Sequence, residues 1–184
     1  MAVGFSAVGL RSAPGSSPVP CARRTWRGIA WSTWLALALV SAPAGAQSNN
    51  VRITKLSDVA FGSLANLGVD ASSAQSICVY ANTSGDRYRV TATGSAPGSA
   101  FALTSGASLL PYEVQWSASS GQSSGFQLSP NVPQTGLVSS ATQQTCNSGP
   151  VTSASLILLL RATALSSARA GSYSGTLTLI IGAD

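Results

Sequence analysis

Residues 170–184 read AGSYSGTLTLIIGAD. From Ser174 onward, Thr176, Thr178 and Ile180 fall on one side of an extended chain and Leu177, Leu179 and Ile181 on the other, the two-residue period of a half-buried strand. The strand runs up to Asp184. The expectation is therefore an edge whose N–H and C=O groups call for a partner.

Working back from this stretch, further candidate strands recur at short intervals. They are VRITKL at 51–56, SICVYA at 76–81, DRYRVTAT at 86–93, AFALT at 100–104, LPYEVQWS at 110–117, GFQLS at 125–129 and ASLILLLRAT at 154–163. Turn chemistry separates them: NTSGD at 82–86, GSAPGS at 94–99, SSGQSSG at 119–125 and CNSGP at 146–150. Short strands punctuated by Gly, Pro and Ser, with no helical period outside the leader, predict an all-β sandwich or barrel. Tyr88, Val90 and Ala92 share one face of their strand, and Tyr112, Val114 and Trp116 one face of theirs, so each has a core side and a wet side. The run Leu156 to Leu160 is apolar on both faces, as suits a covered central strand.

The 184 residues carry a formal net charge of +5, but the excess sits in the first quarter of the chain. Beyond residue 46 the cations Arg52, Lys55, Arg87, Arg89, Arg161 and Arg169 face the anions Asp58, Asp70, Asp86, Glu113 and Asp184. That near balance gives no electrostatic footprint for nucleic acid. Residues 22–47 read ARRTWRGIAWSTWLALALVSAPAGAQ: a cationic stretch, an apolar run too short to span a bilayer comfortably, and small residues ending Ala44-Gly45-Ala46. This is the pattern of a secretory signal peptide cleaved after Ala46. The expected organisation is a leader over 1–46, an exported single domain over 47–184, and no transmembrane segment in the processed chain. The first twenty residues, longer than such a leader needs, are consistent with an upstream start codon.

Removing the leader takes Cys21 and leaves Cys78 and Cys146 as a pair. In an exported chain a disulfide is the default reading, with two unpaired buried thiols as the alternative. With no His anywhere in the sequence, Ser-His and Cys-His nucleophiles are excluded and a zinc site has too few ligands. The acids are scattered, GSAPGS lacks the Lys and helix of a phosphate loop, and Asn82-Thr83-Ser84 is a lone glycosylation sequon. The sequence predicts no catalytic residue, no metal and no cofactor, and the chain is read as a non-enzyme.

Four stretches are similar to one family: DVAFG at 58–62, SICVYANTSGDRYRVTATG at 76–94, LLPYEVQW at 109–116 and ARAGSYSGTLTLIIGAD at 168–184. In this order they resemble the spore coat protein U family and the pilin-like proteins of archaic chaperone–usher systems, over about residues 51–184. The resemblance implies an incomplete immunoglobulin-like sandwich. It would be held by a periplasmic chaperone, passed through an outer-membrane usher, and built into surface fibres for adhesion and biofilm formation by strand donation between like subunits. Val51 and Ile53 are then the expected donor positions, Leu177, Leu179 and Ile181 the expected acceptor-groove strand, and Cys78 with Cys146 the staple. The chain departs from the family pattern in having only the segment 47–57 between the cleavage point and DVAFG, with Lys55 breaking its apolar alternation. A second expectation thus stands beside the first: a secreted or periplasmic sandwich that does not polymerise and binds a ligand through Tyr112, Trp116 or Tyr173.

Overall fold

In the computed structural model, residues 2–6 and 49–184 are described and belong to one compact unit. The leader's apolar run, the cleavage point after Ala46 and Cys21 lie outside the described residues. The regular secondary structure of the described chain is nearly all strand. In order it forms β1 (Ala2–Ser6), β2 (Asn50–Thr54), β3 (Val59–Ser63), β4 (Ala71–Asn82), β5 (Arg87–Gly94), β6 (Ala102–Ser105) and β7 (Ser108–Pro111). There follow β8 (Glu113–Ser117), β9 (Phe126–Gln127), β10 (Gln134–Val138), β11 (Ala154–Leu160), a six-residue helix α1 (Ala162–Ser167) and β12 (Ser172–Ala183).

Two sheets pack face to face, as the alternating patterns predict. The first runs β10-β5-β12-β1-β3, with β6 and β7 joined to it through β12. The second runs β2-β4-β11-β8-β9. Every described pairing is antiparallel except that of β1 with β12, which is parallel. Tyr88, Val90 and Ala92 from β5, Val114 and Trp116 from β8, Leu156, Leu158 and Leu160 from β11, and Leu177, Leu179 and Ile181 from β12 meet in a single core. Across it the Trp116 Nε1–H donates to the Tyr88 hydroxyl at 3.1 Å, joining the two sheets through a buried bond.

Two sequence expectations change for physical reasons. The stretch 110–117, read as one strand, is two: β7 pairs with β6 in the first sheet and β8 with β11 in the second. Tyr112 is the pivot, its N–H bonded to the Phe101 carbonyl at 2.9 Å and its ring stacked on Phe101. The strand expected to reach residue 163 ends at Leu160, and α1 begins at Ala162. The N–H of Ala162 donates to Asp70 at 2.8 Å, so a carboxylate distant in sequence occupies the start of that helix.

A change of sheet also explains Lys55. The chain leaves β2 in the second sheet and enters β3 in the first, turning at Lys55, whose φ is 63°. Its ammonium donates to the carbonyls of Val151 at 2.8 Å and Cys146 at 3.2 Å. The break in apolar alternation thus marks a sheet crossing held by a charged clamp.

Cys78 and Cys146 form a disulfide, and both are buried. The bridge anchors the segment 139–153 beside the C-terminal part of β4, where β11 no longer reaches: β11 pairs with β4 only as far as Ile77. Beyond that point the Ser153 hydroxyl accepts from the Val79 N–H at 2.8 Å, and the hydroxyls of Ser139 and Ser153 both donate to the Val79 carbonyl. Buried serines stand in for the missing strand, as buried backbone groups require. On β11 the second face is covered too. The loop after β8 lies over Ser155, whose hydroxyl accepts from the Gln122 N–H and donates to the Ser119 carbonyl.

Candidate functional site

The first sheet contains one feature that the chain order makes unusual. Between β12 and β3, two strands of the domain proper, lies β1, drawn from the far N-terminus. Ala2 to Ser6 run parallel to β12 in register with Ser172 to Thr176, and antiparallel to β3 opposite Ser63 to Val59, with a shift of register between Val3 and Gly4. On β3, Gly62 adopts a φ of 67° next to this irregularity, a conformation that favours glycine. Neighbouring strands in a sheet lie about 4.8 Å apart. Without β1, the flanking strands would stand about 10 Å apart, too far to pair with each other.

The expected acceptor residues lie on β12 beyond the stretch that pairs with β1. Leu177, Leu179 and Ile181 are buried core positions that pair with Gly94, Ala92 and Val90 of β5. The slot itself lies beside the N-terminal half of β12, where Tyr173 is buried and Ser172 and Ser174 are exposed. The slot brings Val3 level with Tyr173 and Phe5 level with Gly175.

The expected donor positions lie elsewhere. Val51 and Ile53 belong to β2, opposite Ala81 and Val79 of β4 in the second sheet, and Ile53 is buried. Ile53→Asp would bury a carboxylate in the core, so it reports on the fold before any donor role. The ligand-binding alternative also changes. Tyr112, Trp116 and Tyr173 are 5%, 1% and 2% exposed, which removes them as a surface for ligands. Burial pushes the Tyr112 hydroxyl up to about 12. Tyr88 is likewise raised to about 12 by burial, in spite of its bond from Trp116.

One charged cluster was not legible in the sequence, because its members come from distant positions. Arg161 donates through Nε and Nη2 to the two oxygens of Glu113 at 2.9 and 2.8 Å, and through Nη1 to Asp70 at 2.9 Å. Bonds from the Ala162 N–H and then Arg161 hold Asp70 below its ordinary value, and Arg161 does the same for Glu113. One guanidinium is shared between the two carboxylates, which suits a tie between β8, α1 and the segment before β4 better than proton transfer.

The sign of the pH effect follows. Both carboxylates are depressed in the folded chain, so their contribution is present above the ordinary carboxylate range and lost as pH falls through the depressed values. Thermal melts of Arg161→Gln should thus lie below those of the wild type near neutral pH and converge with them toward pH ~2. A gap that persists undiminished in acid would contradict this assignment.

Among the described residues no group of three or more His, Cys, Asp and Glu could hold a metal ion, and no helix is long and apolar enough to cross a membrane. Set against family models, curated proteins and solved structures, the chain matches none.

Proposed function

We propose that the chain is an exported subunit of a strand-assembled surface fibre, and that it accepts a strand from another polypeptide. The observation that carries this reading is the origin of β1. Ala2–Ser6 completes the first sheet between β12 and β3, yet lies on the opposite side of the sequence-predicted cleavage point from every other strand. Cleavage after Ala46 would leave the domain with a strand position flanked on both sides and filled by nothing of its own. Backbone groups on β12 and on β3 would lose their partners. A donated strand restores both, with main-chain bonds giving affinity and alternate side chains giving specificity.

The resemblance to the spore coat protein U family points the same way and suggests the partners: a periplasmic chaperone to hold the open subunit, an outer-membrane usher, and related subunits. The disulfide suits the oxidising compartment that such a route crosses. Donation is a separate matter. After cleavage only Gln47, Ser48 and Asn49 precede β2, so Val51 and Ile53 could donate only by leaving β4. The reading is thus of an acceptor at the end of an assembly, with no catalytic role assigned.

A gel of the protein taken from its native envelope, unboiled beside boiled, tests this. Strand-exchanged complexes are kinetically stable and survive detergent until heated. The expected result is a set of bands above the monomer that collapse to one on boiling. A monomer in both lanes would contradict the reading and favour a sandwich that does not polymerise.

A further inference from the structure

We infer that Lys55 is a positioning residue of the acceptor slot: its ammonium sets the place of β3, the slot's far wall, in the processed chain. The inference rests on the acceptor reading above and adds what holds that wall before a strand arrives.

The need for such a device follows from the pairing. Among the described residues β3 pairs with β1 and with no other strand, and the sequence-predicted cleavage removes β1. After cleavage β12 keeps its ladder with β5, so one wall of the slot is held by main-chain bonds and the other is not. What holds β3 is the crossing that delivers it. Within residues 55–58 the chain passes from β2, paired to β4, to Val59, which is buried in the core.

That crossing is gripped at two points. Lys55 donates to the carbonyls of Val151 and Cys146 at 2.8 and 3.2 Å. The Ser57 N–H and hydroxyl donate to Gln75 Oε1 at 3.0 and 3.1 Å, and Gln75 Nε2 donates back to the Ser57 carbonyl at 3.2 Å. Lys55 is the only lysine in the sequence. Its φ is 63°, and that of Cys146, whose carbonyl it holds, is 49°, so one hydrogen bond joins two non-glycine residues in the left-handed region. Such residues persist only where their surroundings over-determine them, and they gather where geometry serves function. A glycine would take this turn without strain but would lack the ammonium. The bridge to Cys78 ties one of the accepting carbonyls to β4, so the clamp is anchored on the second sheet.

The test uses the processed chain from cells that make it, with Lys55→Gly, Lys55→Met and Lys55→Arg. Glycine removes the ammonium and relieves the backbone, methionine removes the charge and keeps an unbranched side chain, and arginine keeps both charge and donors. Two quantities are read on the oxidised, unheated envelope extract. One is the share of the chain in heat-labile bands; the other is amide hydrogen exchange over 54–63 compared with 154–160. In the glycine and methionine variants the heat-labile share should fall, and exchange over 54–63 alone should rise, each by about tenfold or more. The arginine variant should stay near the wild type in both. The inference is overturned if the ammonium-free variants keep the wild type's heat-labile share, or if their exchange over 54–63 is unchanged. A rise of equal size over 154–160 also overturns it, since Lys55 would then serve general stability. Wild-type monomer in both lanes, with the same local rise in exchange, would sustain the clamp on β3 and remove the acceptor reading. Heat-labile bands of equal share in the wild type and every variant would do the reverse.

Discussion

Replacing Cys78 with serine should lower the stability of the sandwich by about 4 kcal/mol, the loop-closure entropy that a bridge across 68 residues removes from the unfolded chain. For a domain of this size that corresponds to a fall in melting temperature of roughly 15 °C. The physical reason is local as well as entropic. The bridge anchors the segment whose serines satisfy Val79 and whose carbonyls hold the Lys55 turn. Calorimetry of the oxidised wild type, the reduced wild type and Cys78→Ser should place the last two close together and well below the first. A shift of less than about 3 °C would mean that the loop is held without the bridge.

Trp116→Ala should cost a comparable amount, about 3 to 5 kcal/mol, through the cavity left by a side chain that is 1% exposed. The loss includes the bond to Tyr88, which would leave a buried hydroxyl without its donor, and an edge-to-face ring contact with centroids 6.5 Å apart. Tyr88→Phe separates the contributions: it removes the hydroxyl while keeping the ring, and should cost about 1 kcal/mol. Urea denaturation with unchanged slopes would give both values directly. Equal losses for the two variants would show that the bond, and not the packing, joins the sheets.

Much of the sandwich could be read from alternation because its strands have one dry and one wet face. Tyr88, Val90 and Ala92 are buried while Arg87 and Arg89 are exposed, and Leu177, Leu179 and Ile181 face the core as their period requires. Alternation fails where partners, not side chains, define a strand. The first half of β4 is ASSAQ, poor in strand formers, yet it pairs along its length with the apolar β11. The strands β3 and β10 carry glycines at positive φ, Gly62 and Gly136, which interrupt any two-residue pattern. Tyr112 is a core position as its alternation requires, but it sits at the corner between two strands and not within one.

The candidate site was half legible for the same kind of reason. Alternation over 174–181 marks β12 as a strand, but nothing in AVGFS at residues 2–6 identifies the strand in register with Ser172 to Thr176. Parallel pairing over such a separation leaves no local turn signal, since parallel strands cannot be joined by a tight hairpin. Val51 and Ile53 alternated as a donor should, but that same alternation served a strand of the chain's own second sheet. The Arg161 cluster was hidden likewise, its members being brought together only by the pairing of β8 with β11 and the start of α1.

The central claim is that a strand from another polypeptide lies beside β12 in the assembled protein. A photo-crosslinking amino acid placed at Ser174, exposed on β12 and level with the middle of the slot, tests it in cells that make the protein. The account predicts a covalent adduct between the processed chain and a second polypeptide, with the crosslinked peptide coming from an extended apolar segment of that partner. A processed chain that reaches the envelope and yields no adduct beyond itself would contradict it.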